Sequence, residues 1–169
     1  VALGMLLEGV METAFRSSEL VAVVLVLGSL LFIVAELWGR RVGEKVALSV
    51  PRGVALGFFQ ALALVPGVSR SGAVISGGLL LGFSREHSAR IAFLLGLPVM
   101  LGAGAKKLLD LGGATLPAGE WAMIALAAAT AFAVGLLAIH YLLQFLRHHS
   151  LLVFAIYRVL FAGVVLWVV

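Results

Sequence analysis

Apolar residues run in long blocks along this chain, and polar residues gather in the short gaps between them. A helix needs roughly 20 residues to cross about 30 Å of hydrocarbon. Residues 20–38 (LVAVVLVLGSLLFIVAELW) meet that length and end at Trp38, which Gly39, Arg40 and Arg41 follow. An aromatic ring and two cations suit a membrane interface. Residues 88–105 form a second span with Pro98 as an internal kink. Residues 120–146 form a third, opened by TLPAGEW, where Pro117 fits a first helical turn. Residues 151–169 form a fourth. Residues 1–19 are mixed and read as the end of an earlier helix.

Two apolar blocks break this pattern. Residues 54–65 (VALGFFQALALV) and 72–83 (GAVISGGLLLGF) each give only about 18 Å of helix, too short to cross. Pro66-Gly67 between them removes a backbone donor and loosens the chain. Short, interrupted segments of this kind predict a re-entrant helix pair meeting near the bilayer midplane. The alternative is one kinked helix that crosses. Basic residues decide between the two. With a returning pair, Arg40, Arg41, Lys45, Arg52, Arg85, Arg90 and Arg147 share one side, and Lys106 and Lys107 lie opposite. The crowded side is then cytoplasmic, whereas a crossing would scatter these charges. The expected fold class is an all-α integral membrane protein, a polytopic helical bundle with one re-entrant pair in a single transmembrane domain.

Composition agrees. Of 169 residues, 63% are hydrophobic and 12% charged, where a soluble domain has about a quarter charged. The net charge of +4 serves membrane orientation, and no nucleic-acid partner is expected without a dense basic patch. The absence of cysteine excludes disulfides, a thiol nucleophile and zinc–thiolate sites. The sequence begins at Val1 rather than methionine, for which a missing N-terminal part and processing are the two expected explanations.

The chemistry concentrates in PGVSRSG, residues 66–72. A helix starting near Ser71 or Gly72 exposes unpaired N–H groups and the positive end of its dipole, a ready anion site. Gly67 and Gly72 let the backbone approach a ligand closely. Ser69 and Ser71 add hydroxyls, and Arg70 offers a planar fork matched to phosphate oxygens. An arginine at that depth costs about 2.5–3.5 kcal/mol and marks function by default; otherwise it snorkels to an interface or pairs with a helix C-terminus. Gln60 either hydrogen-bonds into the same cavity or stitches helices together. Gly78 and Gly82 have the spacing of close helix packing. FSREHSAR carries a serine capping signal, with Arg85, Glu86, His87 and Arg90 as an interfacial cluster. His140 reads as an interhelical hydrogen-bonding group.

Residues 57–109, with PGVSRSG followed by ISGGLLLG, and the closing FAIYR at residues 154–158, resemble the undecaprenyl-diphosphate phosphatases of the bacitracin-resistance family. The resemblance implies a multi-pass enzyme of the bacterial inner membrane that hydrolyses undecaprenyl diphosphate to the monophosphate. That reaction recycles the lipid carrier of peptidoglycan synthesis and confers bacitracin resistance. It also implies two inverted-topology repeats around a site dependent on a divalent cation, Mg or Ca, and allows a homodimer. Carried over, Arg70, Ser69 and Ser71 are catalytic, and Gly72, Gln60 and Gly67 bind substrate. Val74 stands where the family usually has threonine. The family's first repeat brings a glutamate-rich element, serines and a histidine. Glu8 and Glu12 at i, i+4 with Ser17 and Ser18 lack that continuation and read as structural. The chain is therefore expected to match the C-terminal two-thirds of such an enzyme, with metal ligands outside it and none assigned within.

Two other enzyme patterns fail. A lipid-phosphatase spacing of serine-arginine, five residues and histidine arrives at Ser76, and a G-x-S-x-G elbow arrives at Ser71 instead of glycine. A transporter or flippase binding a polyprenyl phosphate at the same tip without cleaving it is the non-enzyme alternative; an inactive fragment of the phosphatase is another.

Overall fold

The structure, a computed structural model, describes residues 17–39, 47–112 and 117–168. Glu8, Glu12, Arg40, Arg41 and Lys45 lie outside the described residues. Among the described residues there are six helices and no strand. They are α1 (Ser18–Gly39), α2 (Val50–Leu62), α3 (Arg70–Leu80), α4 (Arg85–Gly112), α5 (Ala118–His148) and α6 (Leu152–Val168). Helices α1, α4 and α5 are long and apolar enough to cross a membrane. Helix α6 is equally apolar but has 17 residues.

One stripe of α1 faces the protein. Ala22, Ser29 and Glu36 recur every seventh residue, with Gly28, Phe32 and Ala35 beside them, and all are buried. Such spacing puts them on one side of a helix. This stripe packs against α6 and α3.

The chain reverses between α2 and α3. A Cβ built on Gly77 of α3 would strike the ring of Phe59 of α2. One continuous helix would hold those residues about 27 Å apart, so the two short helices lie side by side. Helix α4 packs on the other flank of α3, where Gly78 leaves room for Ser88. Gly82 does something different from the packing its spacing predicts. Its φ is 89°, its N–H donates to Leu79 O at 3.1 Å, and that of Phe83 reaches back to Gly78 O at 2.9 Å. These two bonds form a Schellman cap, which uses glycine because an L side chain is strained there. Ser84 then caps α4, its hydroxyl accepting from His87 N–H at 3.3 Å.

The apolar core gathers Ala35, Leu56, Val74, Ile75, Leu79, Phe83, Ala89, Leu146 and Leu151. It sits where α1 and α5 end and α4 and α6 begin. A buried ion pair closes this end. Glu36 is 1% exposed, and Arg85 Nε donates to its two carboxylate oxygens at 3.0 and 3.1 Å, with Nη2 also in contact. The Leu151 N–H adds a bond at 3.3 Å. One carboxylate thus joins α1, α4 and the start of α6. The interfacial cluster divides accordingly: Arg85 turns inward, while Glu86 takes Arg90 and Arg147, each at 2.8 Å. Lys106 and Lys107 stand about 30 Å further along α4.

Removing one partner of a buried pair costs more than the pair contributes, because the remaining charge loses its neutralising group. The Arg85 side chain is 30% exposed and that of Glu36 1%, so the carboxylate is the charge that would be stranded. Arg85→Met should therefore lower stability by about 3 kcal/mol, read as a drop in the thermal midpoint of the detergent-purified protein. Adding Glu36→Gln should recover part of the loss. An unchanged midpoint in Arg85→Met would rule out this anchoring role.

Candidate functional site

The last turn of α2 tightens before the reversal. Ala63, Leu64 and Val65 each donate three residues back, at 3.0–3.1 Å, as a helix does when it unwinds. Pro66 ends the pattern, and Gly67 takes φ 98°. Ser69 follows with φ 68° and ψ 110°, an uncommon backbone for a residue with a side chain. Its Oγ accepts from Gly72 N–H at 3.3 Å, so Ser69 is the N-cap of α3. Arg70 and Ser71 open the helix. The sequence order Ser-Arg-Ser thus becomes a hydroxyl, a guanidinium and a second hydroxyl around one helix start.

Helix α1 and Arg158 of α6 hold this turn from behind. Arg158 is 8% exposed. Its Nη2 donates to Gly67 O at 2.6 Å and to Leu25 O at 3.4 Å, and its guanidinium lies 5.1 Å from the centre of the Phe32 ring. Among the described residues no carboxylate pairs with it. Gly28 gives the guanidinium its passage, because a Cβ there would overlap it. On the other side, Phe32 lies against Gly72, and Val24 and the Val21 carbonyl lie against Gly67. Residues 21, 24, 25, 28 and 32 share one face of α1, and that face supports the turn.

The structure brings some predicted site residues together and separates others. Ser69 and Arg70 are exposed and Ser71 half-buried. Arg70 Nη1 has one partner among the described residues, Met100 Sδ at 3.4 Å. Its fork remains open to an anion. Gly67 and Gly72 belong to the same turn, but their bare Cα atoms admit α1 rather than a ligand, and the Gly72 N–H is taken by Ser69. Gln60 donates through Nε2 to Leu95 O at 3.4 Å, stitching α2 to α4 one turn before Pro98, where the proline interrupts the helical ladder. Its Oε1 is buried with no partner among the described residues. Val74 is buried in the core. His140 is exposed and meets the ring of Tyr141 edge-on, not a neighbouring helix.

Among the described residues no three His, Cys, Asp or Glu side chains come together as a metal site. The described part of the site therefore does not fit a divalent cation. Arg158, Glu36, Gly28 and Phe32 were not singled out by the sequence reading. The signal for the two charged ones was present: each is an ionisable residue inside an apolar run, and such residues are functional or paired by default.

The sequence matches the family described as bacitracin resistance protein BacA over residues 1–164. An undecaprenyl-diphosphatase of Thermobifida fusca (strain YX) is 40% identical over 156 residues, 92% of this chain and 53% of that protein. One of Paenarthrobacter aurescens (strain TC1) is 38% identical over 170 residues, 99% of this chain and 61% of that protein. One of Rubrobacter xylanophilus is 40% identical over 163 residues, 96% and 60% respectively. The chain spans a little over half the length of these relatives.

Gly72→Ala should push a methyl into Phe32 and cost about 2 kcal/mol, the usual scale of overpacking. Phe32→Leu in the same background should return part of it. Thermal unfolding of the single and double variants checks this; additive losses would mean the two residues do not meet.

Proposed function

The chain belongs to the bacitracin resistance protein BacA family, and from that membership we propose that it takes part in hydrolysing undecaprenyl diphosphate to undecaprenyl phosphate and inorganic phosphate. The observation that carries the reading is the open guanidinium of Arg70, beside the Ser69 and Ser71 hydroxyls at the start of α3. The diphosphate head group bears two or three negative charges. Hydrolysis forms a bond from water oxygen to the terminal phosphorus and breaks that phosphorus's bond to the bridging oxygen. The bond's electron pair leaves with the undecaprenyl phosphate. Charge grows on the transferred phosphoryl and the leaving oxygen, so a fixed cation and helix-start dipoles stabilise the transition state more than the ground state. Ser69 keeps its O–H free to donate while its Oγ accepts from Gly72. No base stands beside Ser69 or Ser71 among the described residues, and neither is assigned as nucleophile. The divalent cation expected of the family would be held by residues outside the described set, and no step here depends on it.

Depth supports the same reading. Arg70 meets Met100, about 22 Å along α4 from Arg85, which supports a turn lying inside a hydrocarbon core of about 30 Å where α4 spans the membrane. The short pair α2–α3 is then re-entrant, and the prenyl tail stays in lipid while the head group reaches the tip. In this proposal the membrane is the bacterial inner membrane, with the Glu36–Arg85 end cytoplasmic.

Phosphate release from undecaprenyl or farnesyl diphosphate, by protein purified from its complete coding sequence, tests the proposal. Arg70→Ala should lower turnover at least about 100-fold, the cost of losing one transition-state donor, while unfolding temperature stays unchanged. Lipid binding without phosphate release in the unaltered protein would favour a carrier. Near-normal turnover in Arg70→Ala would remove the phosphate role from this turn.

A further inference from the structure

A buried guanidinium is expensive unless its donors are satisfied, and Arg158 aims Nη2 at the turn, while its Nε is buried with no partner among the described residues. We infer that Arg158 is a positioning residue: it reaches past Gly28 to the Gly67 carbonyl and so fixes the backbone that presents Ser69 and Arg70 to a phosphate. Three independent features converge on this role. The hydrogen bond to Gly67 O is short, at 2.6 Å, and charge-assisted. It falls two residues before Ser69, whose φ of 68° persists only where surrounding structure holds it. The third feature is a gap cut for the side chain, since any Cβ on Gly28 would overlap the guanidinium. Phe32 completes the device. Its ring lies under the Arg158 cation and against Gly72, so one cation and one ring brace both ends of the segment.

Arg158 is not itself a ligand of the head group. Its Nη2 is shared between two backbone carbonyls, and it lies behind the turn while Arg70 lies in front. Its effect on turnover therefore passes through Ser69 and Arg70. The inference about turnover rests on the phosphatase reading; the structural clamp does not.

Amide hydrogen exchange in detergent or nanodiscs reads the clamp directly, with no activity needed. In Arg158→Met, exchange over residues 64–72 should rise at least tenfold, with residues 73–79 and α4 unchanged. Gly28→Ala should give the same local rise by displacing the guanidinium while keeping its charge, and it stands in if Arg158→Met fails to fold. Arg158→Lys should restore part of the protection. On farnesyl diphosphate, both disruptive variants should lose kcat by at least tenfold with KM within about threefold, because a displaced turn still binds but misplaces the reacting phosphoryl. Unchanged exchange over 64–72 would overturn the clamp, as would a rise spread evenly over all helices, which marks a merely structural residue. If the unaltered protein releases no phosphate, the functional reading falls while the exchange result still decides the clamp.

Discussion

A charge enclosed by protein must be neutralised where it stands, and among the described residues two are enclosed against a single helix. Glu36 lies near the end of α1 and Arg158 packs against its middle, about 12 Å away at the level of Gly28. They are not partners. Glu36 is met by a cation and an amide, Arg158 by two carbonyls and an aromatic ring. The first ties together the ends of three helices at one face of the bundle. The second ties α1 and α6 to the turn between α2 and α3. Because desolvation penalises any arrangement that leaves either group unpaired, these contacts fix which helices are neighbours more strictly than apolar packing does. Leu, Val and Ala can slide against one another at little cost; a guanidinium on a carbonyl cannot.

Close approach is the second constraint, and it follows from the first. Arg158 reaches Gly67 only because α1 lacks a side chain at Gly28. The turn sits against α1 only because Gly67 and Gly72 lack theirs. The reversed pair is compact for the same reason, with Gly77 under Phe59 and Gly78 under Ser88. In lipid the hydrophobic effect gives helices little reason to associate, so contact area gained at small residues and polar bonds decides the packing. The glycines of α3 therefore act on three neighbours at once, and the irregular backbone at its start is covered by protein on the side that faces α1.

How far the sequence revealed this varied with the physics involved. Lengths of apolar runs report helices faithfully, because spanning lipid demands a fixed number of residues; the blocks around residues 20–38, 88–105 and 120–146 all lie within helices. The break at Pro66-Gly67 was legible because proline and glycine act locally. So was the Ser84 cap. The roles of individual glycines were not legible, since spacing cannot distinguish packing at Gly78 from the left-handed cap at Gly82. Nor was the use of Gly67 and Gly72 to admit α1. Which partner fills a vacant Cβ position is a long-range fact, set for these two glycines by Val21, Val24 and Phe32, some 40 to 46 positions away. Gln60 left two readings, and its bond to Leu95, 35 positions away, favours stitching, a partner set by the packing of α4 rather than by anything near Gln60 in sequence.

The two arginines around the turn show why a residue type alone does not assign a role. Arg70 and Arg158 carry the same fork of donors and the same charge. Arg158 is buried and gives Nη2 to two backbone carbonyls. Arg70 has a thioether, a weak acceptor that satisfies almost none of a guanidinium's capacity. A phosphate oxygen would therefore gain more at Arg70, whose guanidinium is exposed, than at Arg158, which is buried and already holds two backbone carbonyls. The difference arises from what the neighbours offer: α1 brings a carbonyl and a ring to one guanidinium and the turn a second carbonyl, while α4 brings only methionine to the other. Recognition of an anion at this turn would then depend as much on what the protein withholds from Arg70 as on the charge it carries.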